Sequence, residues 1–471
     1  MKTKSLLLAT IGTLLLATAC TNDDEIAPVV QTAEEEMPVA FDTYLSSNSQ
    51  GSTRAYSSGL FKTTDLQTDG FGIFAYNTSS EWSTAGSTAT PNFMYNQRVT
   101  YSAGAWEYTP VKYWPNMTQK GTGDPNTIID GQTGNDAYAS SNAFVSFFAY
   151  APYISTVSNK TSGLDMTDGK VYGSTAETQV GYGITEIVSS TATGVPTISY
   201  TMNPDASQSQ DLLWGTAPLS GVNYTAVNGN TITKAAGLPL TDMVKPDTHT
   251  KIKFLFQHAL AALRMDLALA IDQLAAGGTL AENTTVKINS ITLAPKDATP
   301  TQGFATEGKL SLENSTANTP AWTSDGTAAL TPGNLYIGGA SSNVNINSAL
   351  TTGITMSGDP LALSPTLPAP VFGTTTTDAL MFIPVYSLVA DFDVTVTIDY
   401  DVITADEAHY GTGKDVTVKN TISKDVTLKS FRAGRLYALH LVLGLTSVKI
   451  DAEAQDWSVE EQVIDLPRNL D

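Results

Sequence analysis

The sequence predicts an all-β protein made of antiparallel sandwiches, and three observations carry that reading. Short runs rich in aromatic and β-branched residues recur along the chain. Turn clusters such as "GTGDPN", "GQTGND" and "NPDASQ" separate them. Several runs alternate with period two, most cleanly Phe392, Val394, Val396 and Ile398 against Asp391, Asp393, Thr395 and Thr397. At 471 residues the chain has room for two sandwiches in tandem. The proline and polar residues of "MVKPDTHT" place the boundary at 247/248, giving domains 55–247 and 248–471. No regular short repeat is present, which argues against a solenoid or propeller.

Residues 1–19 read as a signal peptide. Met1 to Lys4 is a short basic region, and Ser5 to Ala19 is apolar but short for a bilayer span. Cys20, the chain's single cysteine, follows at once. "LLATAC" resembles a bacterial lipobox, with Ala17 where leucine is commonest and Leu16 one place early. Cys20 is therefore the expected lipid-bearing residue, the other reading being an ordinary secretory signal beside a chance cysteine. No cysteine is left for an intrachain disulfide, so burial and strand pairing must hold the fold. "TNDDE" after Cys20 resembles the export tag of surface lipoproteins in some Gram-negative bacteria, which would place the anchor in the outer leaflet of the outer membrane. A solvated acidic tether explains the same residues.

Residues 20–36 are polar and acidic. In the following "MPVAFDTYL", Val39, Phe41, Thr43 and Leu45 alternate with polar or small residues, the signature of a strand with one buried face. Ser46 to Thr53 has linker composition, and Arg54 is the one basic residue between Glu25 and itself. Further strands are expected over 70–77, 105–108, 143–153, 196–202, 286–295, 379–385, 391–402, 437–445 and 447–457. The segment 248–274 fits both periods. Leu255 to Leu267 alternate, while Leu260, Leu263, Leu267, Ile271 and Leu274 form a helical stripe, so a strand leading into a short helix is expected there. Residues 300–378 are polar, Gly-rich and without a motif.

Chemistry-bearing patterns are scarce. A net charge of −21 with a pI near 4.4 repels phosphates and speaks against a nucleic-acid partner. His249, His258, His409 and His440 have no metal-ligand spacing, and His258 and His440 lie in apolar runs that suit structural roles. Nucleophile elbows and phosphate loops are missing, and the carboxylates are scattered. No catalytic residue, metal ligand or cofactor is assigned, and enzyme is the weaker class. Trp106, Tyr113 and Trp114, within "WEYTPVKYWPN", either form a sugar-stacking platform or belong to a buried core. The first alternative would make the chain a surface glycan-binding lipoprotein that keeps its anchor.

Taken in order, Cys20, the strand before "TRA", "YTPVKYWP", "DLLWG", "FLFQHALAALRM" and "FRAGRLYALHLVLGL…IDAEAQDW" resemble the fimbrillin family, the Mfa-like pilins of type V fimbriae. The resemblance covers nearly the whole chain. It implies two tandem transthyretin-like sandwiches, a lipid-anchored precursor, and an arginine-specific surface protease that cuts between Arg54 and Ala55. It further implies that 20–54 is a propeptide whose strand, with Val39, Phe41, Thr43 and Leu45 inward, is removed. A strand from another pilin subunit then fills the groove. The tail Trp457, Val459, Glu461 and Val463 is the candidate donor strand, or pairs within its own domain. The implied location is the fimbrium at the outer-membrane surface, facing a host or bacterial receptor.

Overall fold

The computed structural model describes residues 37–45, 61–115, 144–157, 160, 162–173, 178–227, 229–270, 284–296, 303–326, 329–330, 333–338, 354–356, 361–363, 368–373, 378–385, 391–405, 415–428, 431–444 and 448–456. They form one compact unit. It is an all-β structure, with helices among the described residues limited to short pieces such as Thr63–Asp69 and Trp82–Ala85.

The first sheet has eight strands: β1 (Phe41–Leu45), β2 (Phe71–Thr78), β3 (Met94–Ser102), β4 (Ala105–Glu107), β5 (Phe144–Ala151), β6 (Leu213–Thr216), β7 (Leu240–Met243) and β8 (Ile252–His258). Their order is β1-β8-β6-β5-β2-β3-β4, with β7 also on β5. Both faces of this sheet are buried. Phe71, Ile73, Phe147, Phe254 and Phe256 fill one core, and Phe74, Tyr76, Phe148, Tyr150 and Trp214 fill another. Two-sided burial explains why "GFGIFAYN" and "AFVSFFAYA" read as continuous apolar runs rather than alternating ones.

Two six-stranded sheets follow. One is built around β9 (Ala261–Leu269), which lies between β11 (Leu380–Val385) and β14 (Arg435–Leu443), with β15 (Val448–Asp456) outside β14. The other centres on β10 (Thr284–Pro295), paired with β12 (Phe392–Ala405), which pairs in turn with β13 (Asp415–Leu428). Their facing side chains, including Leu263, Leu267, Ile291, Phe382, Val396 and Leu439, make a third core. Most ladders are antiparallel, but β1 on β8 and β9 on β14 are parallel.

Three features resolve or differ from the expectations. In 248–274 the expected strand is present as β8 and again as β9, Ala261–Leu269, while Ile271 and Leu274 of the helical stripe lie outside the described residues. Leu263 and Leu267 satisfy both periods, but Met265 and Leu269 are buried with them while Arg264, Asp266 and Ala268 are less so, and pairing on both edges decides the outcome. The pairing also crosses the 247/248 boundary. β8 belongs to the first sheet, and Glu307–Ser311 pairs with Thr197–Thr201 in a separate four-stranded sheet. Finally, the motif-poor region 300–378 contains strands, among them Gly303–Ala305, Glu307–Ser311, Ala321–Thr323 and Leu335–Gly338.

Candidate functional site

The site is the seat of β1. Residues 37–45 make two different backbone contacts in succession. Residues 37–39 run antiparallel to 112–114: the Val39 N–H donates to the Lys112 carbonyl at 2.8 Å, and the Trp114 N–H donates to the Met37 carbonyl at 2.9 Å. Residues 41–45 then run parallel to β8, Phe41 opposite Ile252 through Leu45 opposite Phe256. The Ile252 N–H donates to the Ala40 carbonyl at 2.8 Å. The sheet curls so far that β1, at one end, touches β4, at the other. The N-terminal segment thus lies along the outer edge of β8 and ends the sheet on that side, and taking it away would leave that β8 edge unpaired.

Side chains reinforce the pairing. Val39 and Phe41 are each 1% exposed. The Phe41 ring lies 5.3 Å from Tyr108, 6.0 Å from Phe147 and 6.3 Å from Phe254, centroid to centroid. Burying two such side chains contributes about 1.5–3 kcal/mol each. Thr43 and Leu45 are half-buried, so the expected inward face is present but thins toward its C-terminal end. Met37 extends the same face and is buried. Its place two residues before Val39 was the available signal. Tyr44 points outward and is exposed.

Tyr108 clamps the segment. Its hydroxyl donates to the Val39 carbonyl at 2.7 Å and accepts the Lys112 N–H at 3.2 Å. Burial, above all, pushes the phenol up from its usual value, and the nearby Tyr113 adds to this while the Lys112 N–H opposes it. The "DLLWG" and "FLFQH" segments pair with each other beside the seat. Asp211 Oδ2 lies 2.6 Å from His258 Nδ1 at the end of β8, and both groups are buried. Gly215 is there for space, since a Cβ would fall 2.8 Å from the Phe254 ring and 3.0 Å from the Ala149 side chain.

The three aromatic candidates for sugar stacking do not share a surface. Trp114 is 4% exposed, its indole packed edge-on against Phe147, and offers no face to a ligand. Trp106 is half-buried against Phe71 and Tyr101, and Tyr113 alone is open, at 45% exposure. Met37 and Val39 run alongside 112–114, and Trp114 belongs to the core beneath them, as the buried-core alternative has it. His440 pairs with Asp266 at 2.8 Å across β9 and β14. Among the described residues no group of His, Cys, Asp and Glu is arranged to hold a metal ion. Cys20, Arg54, Ala55 and the tail Trp457, Val459, Glu461 and Val463 lie outside the described residues. The tail follows directly on β15.

The arrangement is a short strand held on the outer edge of β8 by a few buried anchors. Over 85 residues the chain is 39% identical to the fimbrium subunit Fim1C of Phocaeicola vulgatus. The kinship is to a fimbrial subunit. The match spans 18% of this chain and 16% of the relative. No family model matches. Among solved structures, a fimbrial protein from Bacteroides vulgatus is 18% identical, with 90% of this chain and 100% of that one covered and a TM-score of 0.49. The fimbrial anchor protein Mfa2 of Porphyromonas gingivalis is 10% identical, with 90% and 100% covered and a TM-score of 0.30.

Proposed function

We propose that this chain is a structural or adhesive subunit of a type V fimbria. It is exported as a lipoprotein on Cys20, cut between Arg54 and Ala55 by an arginine-specific surface protease, and polymerised when a strand of another subunit replaces β1. The observation that carries this reading is the double seat of residues 37–45. A short segment covers the outer edge of β8, and its loss would expose that edge beside an apolar cleft. Such an edge favours pairing with another chain. Keeping β1 in place during export prevents that pairing until the cut is made.

The segment between β1 and Phe61 contains the one basic residue available for such a cut, in a stretch of linker composition. The tandem transthyretin-like division, the outer-membrane location and the Trp457–Val463 donor belong to the same proposal. The test is Arg54→Ala in the producing cell. The variant should accumulate as an unprocessed lipoprotein and yield no fibres. Normal fibres from Arg54→Ala would falsify the processing step.

A further inference from the structure

The seat of β1 is well filled at Val39 and Phe41 and poorly filled at Thr43. Thr43 Oγ1 is enclosed and has no hydrogen-bond partner. The backbone N–H of the same residue is turned to a local acceptor, Asp42 Oδ1 at 3.0 Å. Thr43 also lines a partly open cavity of about 160 Å³, whose apolar side is Leu66, Ala105 and Trp106 and whose other side carries polar groups of Asp42, Thr63, Gln67 and Lys251. Leu66 is itself buried. The hydroxyl without a partner is a penalty at this position, and the open space beside it leaves room for a side chain longer than threonine's.

We infer that the Thr43 position is the specificity seat of the groove, and that its intended occupant is a strand carrying a larger apolar side chain there. The inference rests on the reading of β1 as a replaceable strand. It adds that β1 is a deliberately imperfect occupant. Val39 and Phe41 anchor it, while Thr43 leaves free energy for the incoming strand to gain. A branched aliphatic residue in place of Thr43 removes the unpartnered hydroxyl, and one longer than valine also fills volume beside Leu66 and Trp106. That difference gives the exchange its direction. A β1 improved at this position should hold its seat too well.

The test uses the full chain with Thr43→Val, Thr43→Leu and Thr43→Ser. Hydrogen exchange of the amides paired between Phe41–Leu45 and Ile252–Phe256 reads opening of the seat. Amides of β12 and β13 read whether each variant is folded. Exchange at the seat should slow about tenfold in Thr43→Val and at least as much in Thr43→Leu, as expected for relieving one buried unpaired hydroxyl. It should quicken in Thr43→Ser. In fibre-producing cells Thr43→Leu should be cut normally yet polymerise several-fold more slowly. Seat exchange unchanged or faster in both Thr43→Val and Thr43→Leu, with β12 and β13 protected, overturns the inference. So does a Thr43→Gln chain that protects the seat better than Thr43→Leu. The exchange readout needs no fibre, so it can fail while the Arg54→Ala result stands, and the reverse.

Discussion

β1 and β13 each end a sheet, and different forces hold them. β13 is long and makes fourteen residue pairs with β12. Its exposed side carries a ladder of polar bonds: Thr395 to Asp425 at 2.7 Å, Thr397 to Ser423 at 2.9 Å, Thr421 to Asp399 at 2.6 Å and Thr427 to Asp393 at 2.7 Å. Lys296 adds an ion pair to Asp425 at 2.7 Å. β1 pairs over five residues and is held by what points inward. Ordering each residue costs about 1–2 kcal/mol in backbone entropy, so a short strand depends on its buried anchors. The long edge carries its own charged protection against foreign strands. The short edge is itself a cover, and the groove beneath it is apolar.

That contrast can be broken most severely at Phe41. Phe41→Ala should cost about 3–5 kcal/mol, because the ring leaves a void among Tyr108, Phe147 and Phe254. Chemical denaturation measures the loss, and exchange at Ile252–Phe256 should rise with it. If those amides stay protected, β1 is not held by its anchors.

Tyr108→Phe should have a smaller effect, about 1 kcal/mol, from losing the hydroxyl that bridges Val39 and Lys112. It also sharpens the comparison through pH. Folded Tyr108 holds its proton more tightly than unfolded Tyr108, so its contribution is intact below the ordinary phenol value near 10 and fades as pH rises through the raised folded value. Parent minus Tyr108→Phe stability, followed by denaturation above pH 9, should therefore decline with pH. A flat difference would remove Tyr108 from the clamp.

At β13 the sign is opposite. Lys296 first, then Thr395, hold the Asp425 carboxyl below the usual carboxylate range. Its contribution is present above the ordinary Asp value and is lost as pH falls through the lowered folded value. The pair is open to solvent, so Asp425→Asn should leave the thermal midpoint essentially unmoved at neutral pH. A clear drop would mean that the long edge depends on its charges as much as the short one depends on its rings.

Much of the short edge was legible in the sequence because period two is a local property. Val39, Phe41, Thr43 and Leu45 announce one face of a strand without reference to any partner. The partner itself is not local. β8 lies about two hundred residues further along, and no pattern in "KIKFLFQH" says that its free edge takes a parallel strand. The Tyr113–Trp114 segment stayed open between two readings for a related reason. Aromatic density reads the same on a surface or in a core, and only the pairing of 112–114 with Met37 and Val39 decides that Trp114 is enclosed. Ala261–Leu269 was ambiguous because alanine and leucine fit both periods, leaving neighbouring strands to choose. The strands within 300–378 are short, and several pair with partners far away in sequence, Glu307–Ser311 with Thr197–Thr201 and Gly303–Ala305 with β11.

The central claim is that residues 37–45 are a cover given up during assembly. N-terminal sequencing of the protein recovered from assembled fibres tests it most directly. The account predicts chains that begin at Ala55 and no trace of the peptide Met37–Leu45. Fibres whose subunits begin at an acylated Cys20 and still contain Met37–Leu45 would contradict it.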